Sequence, residues 1–376
     1  MLSRKIIIIG CGHNGLTTAA YLLENNCTDF IMLEKMNSPG YHWRNVYDSL
    51  QLNTIGKIGF SQIKERFSAN KEGVNQLFDF LISKYKLDEH ISYNTSIKSI
   101  ESTSSGSQLI SESGDVYNCK YLVIATGLFS QRYIPTEYGD AIHSSETGRI
   151  VDSKNQKILI IGYRQSACDL ALLLSKKDNE VTIFKRSDKT TYSFTKLVMI
   201  HVLPLLVSIL LLPNLLIRYS IEFYKGNLDY AEMIKNVSVY FKYFPKFLIN
   251  SFVSYFVIIQ SYVSDYFAIF NTKVLDCEKI KITNKIEGNF DSIIAATGYK
   301  MNPMIKQFIS SKSYNWELSS NMRDKLDYIS SIHFNGRLKK NNSIYIPVSS
   351  LNMAFHPHLS RFTPSYWCAK ELCEKK

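Results

Sequence analysis

Two glycine-centred stretches carry the residue types and spacing that suit dinucleotide binding. The first is Gly10, Gly12 and Gly15, set after the β-branched run Lys5–Ile9 and before the apolar stretch Leu16–Leu23. In such a turn the first glycine permits the tight bend and the second lets the backbone approach a pyrophosphate. The third lets the following helix pack closely on the strand. The N-terminus of that helix, with Asn14 in its first turn, offers N–H donors to phosphate. The next apolar strand, Phe30–Leu33, ends in Glu34, 24 residues after Gly10, where a carboxylate can accept hydrogen bonds from a ribose; Lys35 follows it. A glycine cluster alone is often only a turn. The strand before it, the helix after it and the acid at this spacing mark a cofactor site.

The same grammar recurs 152 residues later. Lys157–Ile161 is the strand, Gly162, Arg164, Gln165, Ser166 and Ala167 form the turn, Cys168–Leu174 begins the helix, and Val181–Phe184 is the next strand. Arg164 takes the place of the middle glycine. Its bulk obstructs close approach of a pyrophosphate, unless its guanidinium pairs with a phosphate oxygen; the alternative is a turn that has lost its nucleotide. Lys185 and Arg186 end the following strand, with Arg186 at the position matching Glu34. Two cations there favour a 2′-phosphate, hence NADP over NAD, against the plainer alternative of surface charge. Two further strands end in one triplet, at Ala125, Thr126 and Gly127 and at Ala296, Thr297 and Gly298, as the chain crosses between the two units.

These motifs imply an α/β fold with two Rossmann-like dinucleotide-binding domains, one interrupting the other. The expected division is 1–150 with 290–376 for the first and 151–289 for the second, the latter including a largely apolar helical insertion at 190–270. Within that insertion Leu197–Ile217 carries no formal charge over 21 residues, but Pro204 and Pro213 break it. Buried helices, a surface-lying or channel-lining pair, and a membrane span are the alternatives, in falling order. Peripheral membrane contact through 190–270 follows from the second of them.

Composition bounds the function. A chain of 376 residues with 45% hydrophobic content can bury a large core. The formal charge of +11 favours anionic partners, and no nucleic-acid-binding signature accompanies it, so no nucleic acid is expected. The run ending at Ile9 reads as a strand rather than a signal peptide. Seven cysteines without a Cys-x-x-Cys pair suit a reducing cytoplasm and disfavour a dithiol reductase. His356 and His358 alone do not make a metal site, and none is expected.

Together these residues resemble the class B flavin-dependent monooxygenases: the flavin-containing monooxygenases, Baeyer–Villiger enzymes and YUCCA enzymes. The most specific part of the likeness is Gly40, His42, Trp43, Arg44, Tyr47, Leu50, Leu52, Asn53 and Thr54, similar to the family's run after the flavin ribose acid. Gly139, His143 and Ser144 match a linker hallmark of the family whose leading aromatic is missing here. In the family that histidine is structural. The stretch Leu351–Ser360 has a fainter likeness to the ornithine and lysine N-hydroxylases, without their glycines.

The resemblance implies FAD in the first unit and NADPH in the second. It places His42, Trp43, Asn53, Thr54, Thr126, Gly127 and Gly298 at the cofactors. It makes Asn53 the catalytic candidate, beside flavin and nicotinamide, with a turn residue as the alternative. The implied reaction is hydride transfer from NADPH to FAD, capture of molecular oxygen as a flavin C4a-(hydro)peroxide, and oxidation of a small-molecule substrate. The apolar insertion would then keep water from the site. The rivals are a flavin-dependent reductase or oxidase without oxygen insertion, and a degenerate FAD-binding accessory protein that has lost NADPH use.

Overall fold

Ile6, Ile7, Ile8 and Ile9 are all buried, as befits a β-branched run in the middle of a sheet covered on both faces. The computed structural model describes residues 2–48, 50, 52, 57–60, 63–127, 129–185, 277–309, 324, 327–328, 331–333, 335–347 and 364–375. Asn53, Thr54, Arg186, the apolar insertion 190–270 and the stretch Leu351–Ser360 lie outside these.

Strand β1 (Leu2–Ile9) leads through the first glycine turn into α1 (His13–Glu24) and then β2 (Phe30–Leu33). After α2 (Tyr41–Asn45) and α3 (Lys71–Tyr85) come β3 (Ile91–Ser92), β4 (Ile97–Thr103), β5 (Gly106–Ser111) and β6 (Val116–Ile124). The order in the sheet is β3-β2-β1-β6-β5-β4. Strands β3, β2, β1 and β6 run parallel, and β4, β5 and β6 form an antiparallel meander. Ile6 and Ile8 face a core shared with α1 and α3, including Leu16, Tyr21, Leu77 and Phe78. Ile7 and Ile9 face the opposite layer, with Leu109, Tyr117, Met301 and Ile305.

The chain then crosses by β7 (Phe129–Arg132) into a second sheet built from β8 (Ile142–His143), β9 (Lys157–Ile161), β10 (Glu180–Phe184), β11 (Ile280–Thr283) and β12 (Ser292–Ala295). Its order is β11-β10-β9-β12-β8, all parallel, with α4 (Gln165–Ser175) between β9 and β10. Short strands on both sides of residues 151–289 therefore complete this sheet. Ile158, Ile160, Leu170, Leu174 and Ile183 form its own core. The return crossing, β13 (Tyr299–Met301), pairs antiparallel with β7, so outgoing and incoming chain make one ribbon. It continues into the short α5 (Pro303–Lys306).

Two late segments finish the first unit. Strand β14 (Ile344–Tyr345) adds parallel to β6, with Ile344 opposite Leu122. Helix α6 (Pro364–Glu374) packs on α1, where the Tyr21 and Tyr366 rings meet edge-on at 5.0 Å. Glu371 of α6 accepts from the Tyr345 hydroxyl at 2.9 Å and pairs with Lys375 and Arg337. Among the described residues no helix is long and apolar enough to cross a membrane.

The seat of α1 on β1 depends on two glycines for different reasons. A Cβ on Gly15 would lie 1.9 Å from the Gly10 carbonyl oxygen, whereas one on Gly12 would meet nothing within 4 Å. Gly15→Ala therefore forces helix and strand apart and lowers stability by about 3 kcal/mol in urea unfolding, while Gly12→Ala changes it by less than about 1 kcal/mol.

Candidate functional site

Each glycine turn is built by the same backbone logic. Gly10 has φ +96, and an added Cβ would touch the Ala125 carbonyl oxygen at 3.0 Å. Gly162 has φ +114, and an added Cβ would lie 2.5 Å from the Ala296 carbonyl oxygen. In both cases the turn passes under the Ala-Thr-Gly triplet of the neighbouring strand, and the left-handed φ suits glycine. Gly127 (φ +85) and Gly298 (φ +78) end those triplets, and at both an added Cβ would meet open space. Each turn is thus paired in space with one of the two repeated triplets.

The helices that follow present their N-termini without side-chain caps. Gly12 and Arg164 are the N-cap residues of α1 and α4, both extended, and neither first turn holds an acidic residue. Backbone N–H groups there have no intrahelical partner, and the helix dipole favours an anion in front of them. Asn14 lies in the first turn of α1, where its carbonyl accepts from the Thr18 hydroxyl at 2.7 Å. Ser166 is half-buried and Ala167, the counterpart of Gly15, is fully buried; Gln165 begins α4. Arg164 is exposed, and the backbone adopts the extended conformation seen at Gly12 despite the larger side chain.

Glu34 does more than its position after β2 foretold. It is buried, and its carboxylate already accepts two backbone N–H groups, from Cys11 at 2.7 Å and Met36 at 2.9 Å. The acid thus ties the glycine loop to the end of β2. A carboxylate offers about four acceptor positions, so roughly two remain for further donors. Beside it the Cys11 thiol is buried, and burial together with the charges of Glu34 and Asp88 pushes it well above its ordinary value. That thiol stays protonated and is no nucleophile. Lys35 is exposed next to Glu34, and Lys185 is half-buried at the end of β10, its N–H bonded to the Thr283 carbonyl.

Helix α2 brings the motif run to the first turn. Gly40, with φ +63, donates its N–H to the Cys11 carbonyl at 2.8 Å, and a Cβ there would overlap the Phe78 ring. Arg44 fixes the helix through the Pro39 carbonyl (2.9 Å) and Asp79 (2.5 Å). Trp43 packs against the core beneath. His42 stands edge-on to Tyr299 at 6.0 Å; burial holds its imidazole below the ordinary value, with Arg132 and His143 adding to the effect.

The crossing ribbon locks the two triplets together. His143 is fully buried and lies at 3.0 Å, through Nε2, from the Gly298 carbonyl. The Ser145 N–H donates to its Nδ1, which assigns the proton to Nε2 and makes the ring neutral. Both ring nitrogens are thus engaged within the protein. On the other side the Asn302 amide donates to the Thr126 hydroxyl at 2.9 Å and to Ser130 at 2.8 Å. Thr297 donates to the Tyr133 carbonyl, and Lys300 lies over the Tyr133 ring at 4.3 Å. Sequence reasoning missed Asn302 and also Tyr47, whose hydroxyl donates to Asp169 of α4 at 3.1 Å. An asparagine before a proline and a tyrosine inside a longer motif carry no signal of such distant partners.

Residues 7–210, more than half of the chain, match the pyridine nucleotide-disulphide oxidoreductase family. The chain belongs to this family. Among curated proteins it is 29% identical over 197 residues to the uncharacterized oxidoreductase CzcO of Bacillus velezensis, covering 50% of this chain and 55% of that one. It is 23% identical to the probable indole-3-pyruvate monooxygenase YUCCA9 of Arabidopsis thaliana, covering 53% and 48% respectively. The chain thus spans about half the length of the curated relatives it matches. Among solved structures, the open form of cyclohexanone monooxygenase superposes with a TM-score of 0.62 at 12% identity, over 100% of this chain and 88% of that one. That likeness speaks for the fold. The resemblance to flavin-dependent monooxygenases read from the motifs is matched by curated relatives named as monooxygenases, YUCCA9 among them.

Glu34→Gln places an amide NH₂ against a backbone N–H that the carboxylate now satisfies. Purified protein is expected to lose about 1–3 kcal/mol of stability and to bind FAD more weakly, read from the melting temperature and the flavin-to-protein absorbance ratio. His143 supplies a pH test. Burial, partly opposed by the Gly298 carbonyl, lowers the pKa in the folded protein, so the unfolded chain binds a proton first as pH falls. Stability is then held above the ordinary histidine value of about 6.5 and declines below it, with His42 adding the same sign. His143→Gln, which keeps a donor for Gly298, flattens the fall in melting temperature between about pH 7 and pH 5.

Proposed function

We propose that the chain is an FAD- and NADPH-dependent monooxygenase that inserts one atom of molecular oxygen into a small-molecule substrate. The observation that carries this is the pair of matched glycine turns, each leading to an uncapped helix and each opposed by an Ala-Thr-Gly triplet. The names of the relatives, which include FAD-binding and Baeyer–Villiger monooxygenases, support it.

The first turn fits FAD. Gly10, Gly12, Asn14 and Gly15 would receive the pyrophosphate at open space in front of α1, and Glu34 and Lys35 the ribose. His42, Trp43, Thr126 and Gly127 would flank the ring system. The second turn would take NADPH through Gly162, Gln165, Ser166 and Ala167. Arg164 would meet a phosphate oxygen, and Lys185 with Arg186 the 2′-phosphate. Gly298 would lie where the two cofactors approach, with Asn53 and Thr54 acting beside the flavin. When bound, FAD supplies hydride acceptance from NADPH and activation of dioxygen. The task of the chain is to orient the two cofactors and to exclude water, the latter through the largely apolar residues 190–270.

A second reading, an FAD-binding protein without NADPH use, rests on Arg164 standing where the first turn has Gly12. Anaerobic mixing of FAD-loaded protein with NADPH, then with oxygenated buffer, separates the two. Rapid bleaching of the flavin, followed by a transient spectrum distinct from reduced and oxidised flavin and by an oxygenated product, is expected. Bleaching without the transient identifies a reductase or oxidase. No bleaching at any NADPH concentration identifies the accessory protein.

A further inference from the structure

We infer that Tyr47 is a positioning residue that holds the two dinucleotide-binding units in register by inserting from the first into the second and hydrogen-bonding Asp169 of α4. The base from which Tyr47 projects belongs to the first unit. Helix α2 is fastened there by Gly40 to the Cys11 carbonyl and by Arg44 to Pro39 and Asp79, and Val46 is buried directly before Tyr47. The tyrosine ring nevertheless packs against the core of the second unit, the one formed by Ile160, Leu170 and Leu174.

Its hydroxyl donates to Asp169 at 3.1 Å and also interacts with Ser166. Residues three apart share one face of a helix, so Tyr47 grips the first turn and a half of α4. That is the part whose backbone faces the second dinucleotide site. Burial, then the Asp169 charge, raises the phenol far above its ordinary value, so it remains a donor throughout the accessible pH range.

The ribbon of β7 and β13, with its His143 and Asn302 links, already joins the units. Two chain crossings side by side act as a hinge, and an attachment away from them removes the remaining rotation. Transfer between two bound cofactors requires reacting atoms about 3–3.5 Å apart, so a small rotation leaves binding intact and slows the transfer. This kinetic consequence rests on the hydride transfer of the proposed function; the contact itself does not.

The experiment uses the full FAD-loaded chain. In Tyr47→Phe, FAD content is retained and NADP⁺ affinity stays within about twofold, while the limiting rate of anaerobic flavin reduction at saturating NADPH falls about tenfold. Asp169→Ala behaves alike, and the double variant is no slower than the slower single. Asp169→Asn, which keeps an oxygen to accept the phenol proton, stays within about threefold of the unmodified protein. An unchanged rate in Tyr47→Phe, or losses that multiply in the double variant, overturns the inference. If Tyr47→Phe does not load FAD, the contrast between Asp169→Ala and Asp169→Asn decides.

If NADPH does not reduce the unmodified protein, the proposed function fails and backbone hydrogen exchange decides the contact separately. Tyr47→Phe accelerates exchange severalfold in residues 41–48 and 165–172 together if the two segments open as one. Acceleration in neither segment, or in one alone, overturns the inference.

Discussion

The contact between the Gly15 backbone and the Gly10 carbonyl is the constraint from which the first unit takes its shape. With no side chain between them, α1 sits directly on β1, and its axis points its uncapped N-terminus into the space beyond Gly12. Burial of the four isoleucines of β1 on two faces anchors the strand side of this contact, and the Tyr21–Tyr366 packing anchors the helix side. Glu34 then fixes the loop between them from below, through the N–H groups of Cys11 and Met36. An anion-receptive helix end is thus held from three directions before any ligand arrives, which limits the entropy lost on binding.

The second unit repeats the arrangement with different means. Ala167 replaces Gly15 and is fully buried, so a methyl group is accommodated where the first unit accepts none. Arg164 replaces Gly12 while the backbone keeps the same extended form. Strand-to-helix geometry therefore tolerates the arginine. Its consequence falls on whatever approaches the turn from outside, where a guanidinium would substitute charge for close contact.

Local patterns made most of this architecture legible. The glycine spacings, the acid after β2 and the β-branched runs located both turns and the strands around them, because each depends on residues within some 25 positions. The motif run after Glu34 added a family likeness and pointed to His42 and Trp43, but not to the helix that carries them. What escaped were contacts across the chain. His143 meets a carbonyl 155 residues away, Asn302 a hydroxyl 176 residues away and Tyr47 a carboxylate 122 residues away. None has a periodicity or composition to announce it, since a buried polar group is satisfied by whichever partner the topology delivers. The second task of Glu34 escaped for a related reason: spacing gives the place of a carboxylate, but only the loop path shows which N–H groups it meets. Strand β14 was invisible because two residues are too short to form a pattern.

That short strand governs the order in which the chain can become structured. Ile344 pairs with Leu122, across 222 residues, and α6 covers α1 from still further along. The pieces of the second sheet between β9 and β10 lie close in sequence and can associate early on the ribosome, whereas β6 and α1 wait for partners made much later. Until then the apolar side of α1 that receives Tyr366 and Leu372 is open to water and to other nascent chains. The cradle that would receive a dinucleotide is therefore finished last during synthesis, although its glycines are translated first.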